Sequence, residues 1–146
     1  MVTLQTSMEF IATLSCALFA GAAVYINVVE HPARMSCGTE VATTEWAPSY
    51  ERATWMQALL AVVGFVSAVI AWLAGSSVSW LIGGVLLGLV VPFTLVVIKP
   101  TNKRLLSSDL DKRSEETRKL LDKWNVLHGV RTALSVLALI LFLADR

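Results

Sequence analysis

The sequence predicts an all-α protein: an antiparallel bundle of four transmembrane helices, with an extramembrane helical extension before the fourth span. Of the 146 residues, 55% are hydrophobic and 16% are charged, whereas a soluble domain carries roughly 25% charged residues. The apolar residues also gather into four runs, each about as long as the roughly 20 helical residues that cross a bilayer. Short connections between such runs are typical of an antiparallel bundle. The whole chain, residues 1–146, is therefore predicted to be a single integral membrane domain.

The first apolar run, residues 10–29, predicts the first transmembrane helix. A cleaved signal peptide is the competing interpretation. Glu9 stands where a signal peptide carries basic residues, so we expect a retained helix. Pro32 disfavours helical geometry at His31, which predicts that the helix ends there. The mixed polar and apolar residues 35–49 are expected to form a loop.

The second and third spans are predicted from two further apolar runs. Pro48 favours the start of the second helix, which becomes apolar over residues 55–74. A short Gly-Ser-Ser turn leads into the third span, residues 78–98. Gly84 and Gly88 give this span a GxxxG pair, which suits close helix packing.

A polar segment separates the third and fourth runs. Ser108 and Asp111 resemble the N-cap arrangement of a helix, and acidic residues then precede basic ones, as the helix dipole favours. An extramembrane helix is therefore predicted over residues 108–123, before the fourth span at residues 126–144. The residues that line one helix face continue without interruption through both segments, so a single unbroken helix is the alternative.

Basic residues lie almost entirely at one end of the predicted bundle. The end that holds the first and third connections carries ten Lys and Arg residues, and the other end carries only Arg146 and the amino terminus. Because Lys- and Arg-rich loops stay in the cytoplasm, both termini are predicted to be non-cytoplasmic, in the inner membrane if the cell is bacterial. The formal net charge of +1 gives no reason to expect a nucleic-acid partner.

One face of the fourth span carries residues that membrane helices rarely hold. Trp124, His128 and Arg131 follow the spacing i, i+4 and i+7, which places them on one helix face. Ionisable residues within a membrane segment are usually functional. The bundle brings this face to the same end as polar groups from three other segments: Glu30-His31, residues 50–57 and residues 99–104.

These polar groups predict a site with two kinds of residue. The catalytic candidates are His31 and His128 as general bases, and Arg131 as the group that stabilises an oxyanion. Purely structural roles are the alternative: Arg131 could pair with Glu30 or Glu51, and the aromatic residues could form an interfacial belt. The candidate substrate-binding residues are Glu30, Tyr50, Trp55, Gln57, Asn102 and Trp124.

A metal site is the minority alternative. Glu30, His31, Glu51 and His128 have ligand types that suit iron, copper or zinc. They lack the Glu-x-x-His repeats of di-iron bundles. No cofactor is therefore predicted, and the expected partners are the lipid bilayer and a lipophilic small molecule.

Five stretches, spread over nearly the whole chain, carry a family resemblance. They are Tyr25-Ile26-Asn27-Val28-Val29-Glu30-His31-Pro32-Ala33-Arg34, Trp46-Ala47-Pro48-Ser49-Tyr50, Met56-Gln57, Pro100-Thr101-Asn102 and Trp124-x-x-Leu127-His128-x-x-Arg131. Together they resemble the anthrone-oxygenase-like family of small four-helix membrane proteins. The resemblance implies the same fold. It also maps the invariant positions of that family onto His31, Pro32, Asn102, Trp124, His128 and Arg131.

The resemblance further implies a reaction. Fungal members of that family oxidise a polycyclic anthrone to an anthraquinone with molecular oxygen and no recognised cofactor. For this chain the resemblance implies a membrane-embedded monooxygenase or other oxidoreductase that acts on a lipophilic, anthrone-like aromatic molecule. A histidine would remove a C–H proton, Arg131 would stabilise the oxyanion, and the anion would react with oxygen. The alternative is a non-catalytic membrane protein that binds or carries a lipophile or a metal ion.

Overall fold

The computed structural model describes residues 3–145, and over that range it contains helices and no strands. Four helices are long and apolar enough to cross a membrane: α1 (Leu4–Ser36), α2 (Thr39–Leu73), α3 (Val78–Leu105) and α4 (Glu115–Ala144). Helices α1 and α3 each pack against both α2 and α4 and hardly touch each other. The predicted four-helix bundle is confirmed, and its long apolar helices are those of an integral membrane protein.

Helix α1 does not end before Pro32, so that prediction was wrong. The helix widens into one π-helical turn, Ile26–Glu30, immediately before the proline. In this turn the His31 amide donates to the Ile26 carbonyl five residues earlier. The backbone thereby changes register just before Pro32, which has no N–H to donate. The continued helix carries His31 and Arg34 into the bundle, where both are buried.

Helix α2 begins at Thr39, so most of the loop predicted over residues 35–49 is helical. Gly38, with a φ of 92°, forms the break between α1 and α2, because glycine enters this backbone region without steric penalty. Pro48 consequently lies inside α2, not at its start. Packing outweighs the local preference of the proline, since Trp46 in the same segment is completely buried.

Helix α3, like α1, contains a π-helical turn shortly before a proline. A π-helical turn, Thr94–Ile98, comes just before Pro100, and the helix continues to Leu105. The prediction that the third helix ends at residue 98 was therefore too short. The continuation brings Asn102 into the bundle, where it is buried.

Helix α4 begins later than predicted and then runs without a break. Ser114 is the N-cap, and its Oγ accepts from the Thr117 amide at 3.1 Å. The extramembrane helix predicted over residues 108–123 from a Ser108 cap is thus absent before Glu115. The segment folds back instead, because Leu110 is buried against the bundle. The open alternative of one unbroken helix into the fourth span is confirmed.

The ends of the bundle differ in character. Helices α1 and α3 finish, and α2 and α4 begin, at the same end of the bundle. We call it the basic end, because it holds ten of the lysine and arginine residues. Two buried apolar clusters fill the bundle, one at the basic end around Trp46 and Trp124, and one in the rest of the bundle around Phe19 and Trp80. Arg146, predicted at the opposite end, lies outside the described residues.

Glycines set the closest approach of α2 and α3. A methyl group on Gly84 would lie 2.8 Å from the Cβ atom of Ala68, and one on Gly88 would lie 3.0 Å from the ring of Phe65. Both neighbours belong to α2. The predicted packing role of this GxxxG pair is confirmed.

Gly84→Ala should therefore lower the thermal unfolding midpoint of the protein in detergent. The new methyl group forces the α2 and α3 backbones apart, and overpacking of this kind destabilises by about 1–3 kcal/mol. Gly21→Ala in α1 is the matched control, since no atom of a neighbouring helix lies within 4 Å of the added methyl group. Equal midpoints for the two variants would contradict this packing.

Candidate functional site

The side-chain amide of Asn27, in the π-helical turn of α1, joins α1 to α4. Its Nδ2 atom donates to the backbone oxygen of Asn125 at 2.9 Å and to Asn125 Oδ1 at 2.7 Å. A backbone oxygen only accepts, so this contact fixes the orientation of the amide. The Oδ1 atom therefore faces α4 one turn further along, where it lies 2.9 Å from His128 Nδ1 and accepts from the Thr132 hydroxyl.

This arrangement decides which nitrogen of His128 carries the proton. The Oδ1 atom of Asn27 is an acceptor, so Nδ1 of His128 donates to it. In the neutral ring, Nε2 then holds the free lone pair. Nε2 makes no hydrogen bond to any residue between 3 and 145, and His128 lines a cavity of about 20 Å³. That volume has room for about one water molecule, so a histidine ring with an unprotonated nitrogen borders a small cavity.

Arg131 lines the same cavity, one turn further along α4. Its Nη2 donates to Gln57 Oε1 on α2 at 2.7 Å, and its guanidinium carbon lies 5.4 Å from the centre of the Phe19 ring. The predicted alternative of pairing with Glu30 or Glu51 is wrong, since within residues 3–145 no carboxylate forms an ion pair with Arg131. The guanidinium is therefore a cation inside the bundle whose charge is available to an anion.

Glu30 binds another arginine. Arg34 stands one turn after Glu30 on α1, a favourable spacing for an ion pair, and its Nη2 contacts Glu30 Oε1. Its Nε lies 2.7 Å from Glu45 Oε2, and Ser49 Oγ donates to Glu30 at 2.7 Å. These contacts tie the end of α1 to the start of α2, so Glu30 has a structural partner where the sequence predicted a substrate-binding residue.

Trp124 contacts both histidines at the basic end. Its ring centre lies 4.9 Å from that of His128 and 5.7 Å from that of His31. His31 is 2% exposed, and neither of its ring nitrogens has a partner among the described residues. His31 does not line the 20 Å³ cavity. The structure thus places His31 and His128 against the same indole but brings only His128 to the cavity.

Tyr50 and Asn102 meet beside this cavity. The Tyr50 ring stacks on Trp46 with 4.9 Å between ring centres, and its hydroxyl oxygen accepts from Asn102 Nδ2 at 3.1 Å. Gln57 and Tyr50 both line the cavity, whereas Trp55 does not. Trp55 is 79% exposed, because two residues along a helix separate its side chain from that of the buried Gln57 by more than half a turn. The structure therefore places Trp55 away from the cavity, its role in substrate binding stays a prediction, and its exposure fits the alternative of an interfacial belt.

The alternative metal site is not assembled. Within residues 3–145, no three His, Cys, Asp or Glu side chains converge closely enough to hold a metal ion. Glu51 is exposed on α2, and Glu30 is held by Arg34. The proposed set of Glu30, His31, Glu51 and His128 is therefore not a ligand cluster in this structure.

Comparison with known proteins identifies the family. The sequence profile of the anthrone oxygenase family matches residues 46–141, well over half of the chain. The chain belongs to the anthrone oxygenase family. An anthrone oxygenase from Claviceps purpurea (strain 20.1) is 26% identical over 144 aligned positions, and the match covers 88% of this chain and 82% of the fungal protein. No solved structure matches the chain.

The anthrone oxygenase profile covers most of the site but not Asn27, whose role the sequence reasoning missed. Tyr50, Gln57, His128 and Arg131 lie within the matched residues, whereas Asn27 precedes them. One signal was present in the sequence. An amide within an apolar membrane run requires a hydrogen-bond partner, and Asn27 stands two residues before the end of the first run.

A double-mutant cycle between Asn27→Leu and His128→Leu should give a coupling free energy of about 0.5–3 kcal/mol, as for residues in direct contact. The free energy of unfolding in detergent is the quantity to measure. A cycle between Asn27→Leu and Asn102→Leu is the control, since Asn102 binds Tyr50 and its effect should add independently. Additive effects in the first cycle would contradict the Asn27–His128 hydrogen bond.

Proposed function

We propose that this member of the anthrone oxygenase family oxygenates a lipophilic aromatic ketone, with His128 as the general base and Arg131 as the anion-binding residue. One observation carries the proposal. A basic ring nitrogen and a cation without a carboxylate partner among the described residues line one cavity at the basic end. Family membership supports an oxygenase-like role.

The name of the fungal relative suggests the substrate class, and these two groups fit the chemistry of such a substrate. A methylene group between two aromatic rings, conjugated to a ketone across the ring system, is acidic because its anion places the charge on the ketone oxygen. His128 Nε2 takes one methylene proton, and the electron pair moves into the ring system. The guanidinium of Arg131 binds the oxygen on which negative charge develops, as an oxyanion hole does. A planar fork of N–H donors suits such an oxygen better than an ammonium group does.

Molecular oxygen is the oxidant in this scheme. The carbon that lost its proton gives its electron pair to oxygen, forming a C–O bond, and the terminal peroxide oxygen takes up a proton. Removal of the second C–H proton then breaks the O–O bond, leaving a new carbonyl group and releasing water. The balance is one methylene group and one oxygen molecule in, and one ketone and one water out. The protein supplies proton transfer and charge stabilisation.

The surrounding residues hold these two groups in place. Asn27 keeps the neutral His128 ring in the tautomer with a bare Nε2, and Gln57 orients the Arg131 guanidinium. Tyr50 and Asn102 form a polar wall beside the cavity. We also propose that the basic end faces the cytoplasm, since it carries nearly all the lysines and arginines.

His128→Ala should lower the rate of oxygen uptake with anthrone as substrate by about 10²–10⁴-fold, the usual contribution of a general base. Arg131→Lys should lower it by about 10²–10³-fold, as loss of an oxyanion donor does. An oxygen electrode, together with the absorbance of the anthraquinone formed, measures both. Thermal midpoints near that of the wild type would show that folding survives.

His31→Ala is the matched control, because it removes the other histidine without touching the cavity. Its turnover should stay within a few-fold of the wild type. Wild-type activity in His128→Ala would refute the assignment of the base. Binding of anthrone without any oxygen uptake by the wild type would instead favour a carrier.

A further inference from the structure

Helices α2 and α3 are close together over only half of α3. Gly84 and Gly88 press against α2, but after Gly88 the two backbones separate, and a side-chain hydrogen bond bridges them near the basic end. Pro92 has no N–H for the Gly88 carbonyl and favours a bend. The π-helical turn Thr94–Ile98 follows directly. The two helices therefore part toward the basic end and leave a fork between them.

A cavity of about 90 Å³ occupies this fork. Ala58 on α2 and Leu95 on α3 line it and are both exposed, Leu95 at 58%, so the cavity opens on the outer surface of the bundle. Ala58 lies roughly 23 Å along α2 from its Leu73 end. The hydrocarbon core of a bilayer is about 30 Å thick. The opening therefore faces lipid acyl chains, in the part of the membrane nearest the basic end.

The inner end of the fork is continuous with the candidate site. Thr54, Gln57 and Arg131 line both this cavity and the small cavity beside His128. The hydrogen bond between Arg131 and Gln57 consequently forms the wall between the two cavities. Gln57 Nε2 and Arg131 Nε are buried and have no partner among the described residues. A wall that contains unused donors suits an incoming oxygen acceptor.

We propose that the fork between α2 and the second half of α3 is a lateral port that admits a flat aromatic ketone from the membrane, with Gln57 as its gate. This rests on the proposed function of the site. The outer walls, Ala58, Val91 and Leu95, are apolar and suit hydrocarbon rings. When the ketone oxygen takes the place of Gln57 Oε1 at Arg131, the wall opens and the two cavities join.

Ala58→Trp tests the port by filling it, with Leu95→Trp at the opposite lip as a second variant. Ala133→Trp is the matched control, since Ala133 is exposed on α4 near Arg131 and lines neither cavity. The probe is radiolabelled anthraquinone, a ketone with no methylene group to oxidise, and its equilibrium binding is measured in nanodiscs. We expect the dissociation constant to rise at least tenfold in both port variants and to stay within twofold in Ala133→Trp.

Wild-type affinity in a folded port variant would overturn the port. A second result would also overturn it: Ala58→Trp loses a co-purified phospholipid, measured by mass spectrometry, while its affinity for anthraquinone is unchanged. The opening would then bind a lipid and not the ketone. The assay needs no turnover, so the port and the chemistry can fail separately. If the wild type binds anthraquinone through the port yet takes up no oxygen with anthrone, the port stands and the proposed reaction fails.

Discussion

The amide of Asn27 is the interaction on which the rest of the site depends. It binds three residues of α4, Asn125 through Nδ2 and His128 and Thr132 through Oδ1, and in doing so it sets both the contact of α1 with α4 and the tautomer of His128. An amide within a membrane segment needs such partners. Asn27 stands where it does because α1 widens into a π-helical turn before Pro32. The π-helical turn before Pro32 thus positions the unprotonated ring nitrogen of His128.

Two arginines of the bundle differ in their partners, and we infer that they differ in their roles. Arg34 is held by Glu30 and Glu45, so its charge is balanced and it links α1 to α2. Arg131 has only a neutral amide and an aromatic ring as partners among residues 3–145. A cation in that position is costly unless an anion joins it. The proposed reaction generates such an anion, and the port proposed above leads an oxygen acceptor to it.

The sequence was sufficient for the fold because run length and composition determine which segments cross a bilayer. It also placed Trp124, His128 and Arg131 on one face, since helical spacing needs no tertiary information. It failed at Pro32 and Pro48, because a π-helical turn and the burial of Trp46 override what a proline does locally. Partner choice could not be predicted either: which of two arginines Glu30 binds, and which residue of α4 faces Asn27, depend on the register between helices.

The tautomer of His128 is the most direct test of this account. The chain has two histidines, so ¹⁵N NMR of a histidine-labelled His31→Ala variant in bilayers reports on His128 alone. We predict a neutral ring with a protonated Nδ1 and a bare Nε2, and a loss of that preference when Asn27→Leu is added. A neutral ring protonated at Nε2, or a spectrum that Asn27→Leu leaves unchanged, would contradict the account.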